Sequence, residues 1–237
     1  MKVFAIDTTV KTAAAALVED GKRIAEYSLS TDTHSTTLLP MIESLLTLSD
    51  TKVSDIDLFA VSAGPGSFTG VRIGVSTIKG LAFANHIPCA GVSSLEAMAM
   101  NFTGIPGIIV PVINARNKMV YAAVFASDGV GVPVRVTEDE QILISDLLDK
   151  LNAMSGPFYF TGDAYSLIHA EDQKPCGTAV TPEKLRVPSG YGVAVAAERM
   201  WNAEEEKSVF HESRLAPIYL RKSQAERERE EKTRKDS

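Results

Sequence analysis

Gly64 to Gly74, GPGSFTGVRIG, is the stretch whose reading decides the fold, because four glycines and a proline there interrupt sequence that is apolar on both sides. Phe59-Ala60-Val61 leads in as a buried strand, and a helical pattern from Ser67 to Asn85 leads out. Glycine is costly inside regular structure, so such a cluster marks a backbone that turns sharply, binds an anion or closely approaches another backbone. Spacing separates these readings. Gly64, Gly66 and Gly70 give Gly-x-Gly-x-x-x-Gly, one residue out of register with a dinucleotide fingerprint. Gly70 is followed by Val71-Arg72, where a P-loop needs Lys-Ser or Lys-Thr. A structural strand-to-helix turn is favoured; generic anion binding at the helix start, with Ser67 or Thr69 as cap, stays open.

Beyond the turn, Phe68, Val71, Val75, Ile78 and Ala82 form an apolar stripe at helical spacing, flanked by a polar stripe of Arg72, Ser76 and Lys79. Gly70 and Gly74 lie one turn apart on a third face, a spacing that lets another helix pack closely, either within the domain or from a partner. The earlier helix expected from Thr36 or Thr37 to Ser49 is apolar over more than one stripe: Leu38, Leu39, Met41, Ile42, Leu45, Leu46 and Leu48. One face fits its own sheet, and the other fits either the glycine-bearing helix or another subunit.

Further outward, Val3–Asp7, Ala13–Val18 and Lys22–Leu29 read as a three-stranded meander with a turn at Glu19-Asp20-Gly21. Leu58–Ala63 is a buried strand, and a short strand after Pro88 leads to a helix from Ser93. The second half repeats the order: strands at Ile108–Ile113, Val120–Ala126 and Val132–Val136, a helix at Ile144–Met154, a strand at Phe158–Thr161 and a helix at Tyr191–Trp201. This predicts an α/β fold of two duplicated domains: residues 1–103, 104–223 and a charged tail at 224–237 that reads as a solvated or frayed end. Asp7 and Asn114 then take equivalent places after the first strand of each half. Paired carboxylates there could hold a magnesium-nucleotide, but one is an amide, and Thr8 and Thr9 stand where glycine would admit phosphate.

The 237 residues are 45% hydrophobic, enough to build real cores, and the net charge of −6 is unlike the basic footprint of a protein that holds nucleic acid alone. Cys89 and Cys176 form no CxxC pair, which fits a reducing compartment. The polar turn after MKVFA ends too early for a signal peptide, so a cytoplasmic protein is expected. His34, His86, His169 and His211 have Leu38, Ala90, Gln173 and Leu215 four residues on, so no histidine pair has helical metal-ligand spacing. No catalytic residue and no metal ligand is assigned.

IDTT at Ile6–Thr9, HSTTLLPMI from His34, AGPGSFTGVRIGVSTIKGLAF from Ala63, VSSLEAMA from Val92, NARNKMVYA from Asn114 and PIYLRKSQAE from Pro217 together resemble the TsaB (YeaZ) family, in order along almost the whole chain. The resemblance implies an actin-like fold shared with sugar kinases and the Hsp70 ATPase. It further implies a non-catalytic subunit in the synthesis of N6-threonylcarbamoyladenosine in tRNA. In that family TsaD carries the metal and transfers the threonylcarbamoyl group to the adenosine beside the anticodon. TsaE docks on the TsaB–TsaD pair, and TsaC or its relative makes the adenylate. This chain then requires no cofactor of its own, because ATP, magnesium and the TsaD metal belong to partner subunits; tRNA is met through the complex, and the chain alone forms a homodimer. The implied interface helices carry Leu38, Met41, Ile42, Leu45, Phe68, Gly70, Val71, Arg72, Gly74, Val75, Ile78 and Lys79. Asp7, Thr8 and Thr9 would be a vestigial nucleotide site. Alternatives are a free-standing actin-like ATPase or small-molecule kinase and, more remotely, a protease.

Overall fold

The computed structural model describes residues 1–31 and 33–220; the charged tail expected at 224–237 lies outside the described residues. Alternation builds the first sheet. In β1 (Lys2–Asp7) Val3 and Ala5 face one core while Phe4 and Ile6 face another, so both sides of the strand are covered. β2 (Thr12–Glu19) and β3 (Lys22–Ser30) complete an antiparallel meander. Their turn places Asp20 and Gly21 at φ of 49° and 74°, the left-handed pair that a two-residue hairpin requires. After α1 (His34–Leu48), β4 (Leu58–Gly64) joins β1 in parallel. Then α2 (Phe68–Asn85), β5 (Cys89–Ser93) and α3 (Ser94–Met100) follow, giving the sheet order β3-β2-β1-β4-β5. Helices α1 and α2 cover one face of this sheet.

The second half reuses the plan. β6 (Gly107–Asn114) pairs antiparallel with β7 (Met119–Ala122) and β8 (Phe125–Ser127), which keep one register along it. The single strand expected over Val120–Ala126 is therefore divided at Ala123-Val124. There Thr137 Oγ1 takes the Val124 amide at 2.9 Å, while the Val124 carbonyl accepts from Val136 and Thr137. Of the expected strand Val132–Val136 only β9 (Val134–Arg135) forms, and a strand the sequence reading missed, β10 (Glu140–Leu143), follows it and pairs with β7. α4 (Ile144–Asn152), β11 (Phe158–Thr161), parallel to β6, and α5 (Tyr165–His169) complete the outer layer.

α6 (Gly190–Ala203) departs from the expected domain plan. Although it follows the second sheet in sequence, it packs on β1, β2, β5 and α3 of the first. The last helix expected within 104–223 is thus laid against the first sheet. The central core joins Val3 and Ala5, α3, α6, and Ile109, Ile113 and Phe125 of the second sheet. Close packing makes this possible: a Cβ on Gly190 would meet Ala15 and Ala16, and one on Gly192 would strike the Ala97 carbonyl of α3. Gly192 therefore lets α6 approach α3, and Gly190 lets it approach β2. Gly70 and Gly74, expected in that role, face Thr8 instead.

Candidate functional site

A cleft of about 1020 Å³ opens where the carboxyl ends of β1, β4, β6 and β11 converge. Thr9 follows β1, Pro65 and Gly66 follow β4, Asn114 to Arg116 follow β6, and Asp163 follows β11; all line the cleft. Ligand sites in α/β sheets gather at such strand ends, because the loops there are free to vary while the strands hold them.

The glycine cluster forms the inner wall. Gly64 has φ of 121°, and a Cβ there would strike the Ile218 carbonyl; the Ile218 amide in turn donates to Ala63 O at 2.7 Å. The C-terminal segment is thereby pinned beside the turn. A Cβ on Gly70 would collide with the Thr8 carbonyl, and one on Gly66 with Thr9. The Thr8 hydroxyl donates to Gly70 O at 2.7 Å, and the Ser67 amide donates to Thr9 O at 2.7 Å. Ser67 caps α2 by accepting from the Gly70 amide, and its carbonyl accepts from Val71. The amides of Ser67, Gly70 and Val71 are therefore all engaged within the chain. That arrangement is a close backbone approach at the strand-to-helix turn.

Asp7 is fully buried. Its Oδ1 accepts from the Thr9 amide at 2.8 Å and the Thr9 hydroxyl at 2.7 Å, which folds the loop back on itself. Its Oδ2 and the Ser62 hydroxyl oxygen have no hydrogen-bond partner among the described residues. Burial pushes the Asp7 carboxyl above its ordinary range, opposed by the two Thr9 donors. Of the expected nucleotide residues only Thr9 lines the cleft; Asp7 and Thr8 lie behind the wall. Across the cleft, the Asn114 amide donates to Asp163 Oδ1 at 2.8 Å, and desolvation raises the Asp163 carboxyl as well. The cleft also takes in Tyr121, Arg116, Ile218 and Tyr219, whose role spacing alone did not reveal because they come together only through the fold.

The helix residues expected at a subunit interface divide sharply. Leu38, Met41, Ile42, Leu45, Val71, Val75 and Ile78 are buried in the core between α1, α2 and the first sheet. Gly70 and Gly74 are buried against Thr8, so neither they nor these side chains form an outer surface. The inward part of the wide apolar face of α1, Leu38, Met41, Ile42 and Leu45, is absorbed by its own sheet and by α2. Phe68 and Arg72 remain exposed, and Lys79 is half-buried with its ammonium donating to Leu215 O at 3.1 Å. What the two helices show to solvent is Leu39, Leu48 and Phe83, which are 57%, 75% and 67% exposed.

Two sheets, each opening with a meander, a parallel crossover and a shared cleft at the strand ends, define an actin-like protein. The solved Pseudomonas aeruginosa YeaZ structure has the same fold, with a TM-score of 0.77 at 23% identity over 92% of this chain and 99% of that one. In sequence, the chain is 33% identical to the Bacillus subtilis tRNA threonylcarbamoyladenosine biosynthesis protein TsaB, over 95% of this chain and 96% of that one. Against the Escherichia coli TsaB the identity is 31%, with the same shares covered. A family model described as TsaD, tRNA N6-adenosine threonylcarbamoyltransferase, matches residues 28–228. The chain belongs to the TsaB family of tRNA threonylcarbamoyladenosine biosynthesis proteins.

Proposed function

We propose that this chain is the non-catalytic subunit that pairs with a TsaD-type transferase and supports transfer of the threonylcarbamoyl group to the adenosine beside the anticodon of tRNA. The end-to-end likeness to the TsaB proteins carries the reading. The absence of a His-x-x-x-His pair from the sequence supports it, since that pair is the metal grip expected of the transferase. A cleft whose wall turns the Thr8 and Thr9 carbonyls toward the glycine turn is poorly built to hold a triphosphate, which argues against an independent ATPase. ATP, magnesium and the catalytic metal then belong to the partners: the transferase, a TsaE-type ATPase docking on the pair and a TsaC-type enzyme making the adenylate. The cytoplasm, where tRNA is modified, is the place of action.

The surface that fits the pairing is the outer side of α1 and α2, where Leu39, Leu48 and Phe83 are exposed. In the absence of the transferase the same surface pairs two copies of this chain. Co-purification with a tagged TsaD-type protein tests the reading. The wild-type chain is expected to be retained, and the double variant Leu39→Asp/Phe83→Asp to be lost while keeping its unfolding midpoint. A folded wild-type chain that the transferase does not retain would overturn the proposal.

A further inference from the structure

The rim of the cleft holds a cluster of exposed aromatic and basic side chains. The Arg72 guanidinium lies over the Phe68 ring, 3.8 Å from its centre, and its Nε donates to the Tyr219 hydroxyl at 2.8 Å. The Phe68 and Tyr219 rings stack at 5.1 Å with 28° between their planes, yet Phe68 stays 38% and Tyr219 44% exposed. No carboxylate pairs with Arg72 among the described residues. A guanidinium over one ring of an exposed, stacked aromatic pair, tied through Nε to the hydroxyl of the other, is a preformed surface of the kind that takes a flat ligand.

Two independent observations give that ligand a charge. Arg116, Asn117 and Lys118 all lie in the left-handed region, at φ of 64°, 52° and 59°, which is costly for side chains with a Cβ. This strained turn sets Arg116 at the cleft from the second half of the molecule. Strain of this kind persists where a site needs it. Among the described residues, the cleft lining carries Arg72 and Arg116 beside the acid Asp163. Two guanidinium groups thus face the cleft of a chain whose net charge is −6.

We propose that this rim is a stacking platform for an unpaired nucleotide of an RNA strand, its base on the Phe68–Arg72–Tyr219 stack and a neighbouring phosphate facing Arg116. That the strand is RNA rests on the role proposed above. A strand is favoured over a free nucleotide because the inner wall, where a mononucleotide's phosphates would reach, is filled by the Thr8-Thr9 loop, whereas the cations sit at the open edge.

The test uses the full-length chain, alone and with the transferase, and a fluorescent anticodon stem-loop RNA; a fully duplex RNA of the same length and ATP serve as comparators. Ultraviolet crosslinking is expected at Phe68 or Tyr219. Tyr219→Ala and Arg72→Ala should each weaken stem-loop binding by roughly 5- to 100-fold, the range of one lost base–aromatic stack. Arg116→Gln should lower the salt slope by about one phosphate contact. Tyr219→Phe keeps the ring and should bind nearly as the wild type does. The proposal is overturned by no detectable binding, by equal binding of stem-loop and duplex, by unchanged binding of the alanine variants, by displacement of the RNA with ATP, or by the transferase alone protecting these residues. Pairing measured on the same samples separates the two ideas: pairing without crosslinks sinks only the platform, and crosslinks without pairing sink only the subunit role.

Discussion

At the scale of single residues, buried Asp7 and the glycines of α2 carry the sharpest expectations. Because burial raises the folded-state pKa of Asp7, the folded protein holds that proton more tightly than the unfolded chain does. Stability contributed by Asp7 is therefore present at low pH and lost as pH rises from its ordinary value near 4 toward the raised one. Asp7→Asn removes this loss while keeping an oxygen for the Thr9 donors. Urea midpoints compared from acid to neutral pH should show the variant gaining on the wild type as pH rises; a constant difference would contradict the reading. Gly70 and Gly80 of one helix should behave oppositely. Gly70→Ala drives a Cβ into the Thr8 carbonyl and should cost roughly 1–3 kcal/mol. Gly80 has open space around it, so Gly80→Ala should stabilise by about 1 kcal/mol. That the glycine cluster is special was legible in its spacing. Which backbone it approaches was not, because the Thr8-Thr9 loop lies some sixty residues earlier and only the β1–β4 pairing brings it there.

At the scale of elements, strands and helices followed the sequence closely where one periodicity governed them, as in β1, β4, α2 and α4. They departed where a local side chain competed with the ladder, as Thr137 does beside Val124. α1 begins at His34 rather than Thr36 or Thr37; its ring, bonded to Val10 O at 2.8 Å, anchors the first turn. Amphipathic width did not separate the α1 side chains that meet α2 and the sheet, such as Leu38 and Leu45, from Leu39 and Leu48, which reach solvent. This division can be measured. Leu45→Ala should destabilise by about 2–5 kcal/mol, as a fully buried leucine does, and the folded fraction should still pair with the transferase. Leu48→Asp, at a largely exposed position, should leave the unfolding midpoint within about 0.5 kcal/mol of wild type and weaken pairing.

At the scale of the whole molecule, duplication was legible because each half repeats a meander and a crossover, but the return of α6 to the first sheet was not. Its cause is the small-residue contact of Gly190 and Gly192 with β2 and α3, a signal in the sequence that has no address until the two sheets are placed. A second tie joins the halves: Arg135 donates to Glu96 of α3 at 3.1 Å and to Asp139 at 2.6 Å, while Ser93 donates to Asp139 at 2.5 Å. A core shared across the seam and this network at its edge thus join the two halves. The central claim, that this protein supports tRNA threonylcarbamoylation, is tested most directly by depleting it from its own cells and measuring modified nucleosides in digested tRNA by mass spectrometry. The account predicts loss of N6-threonylcarbamoyladenosine, restored by the wild-type chain and not by Leu39→Asp/Phe83→Asp. An unchanged level of the nucleoside after depletion would contradict it.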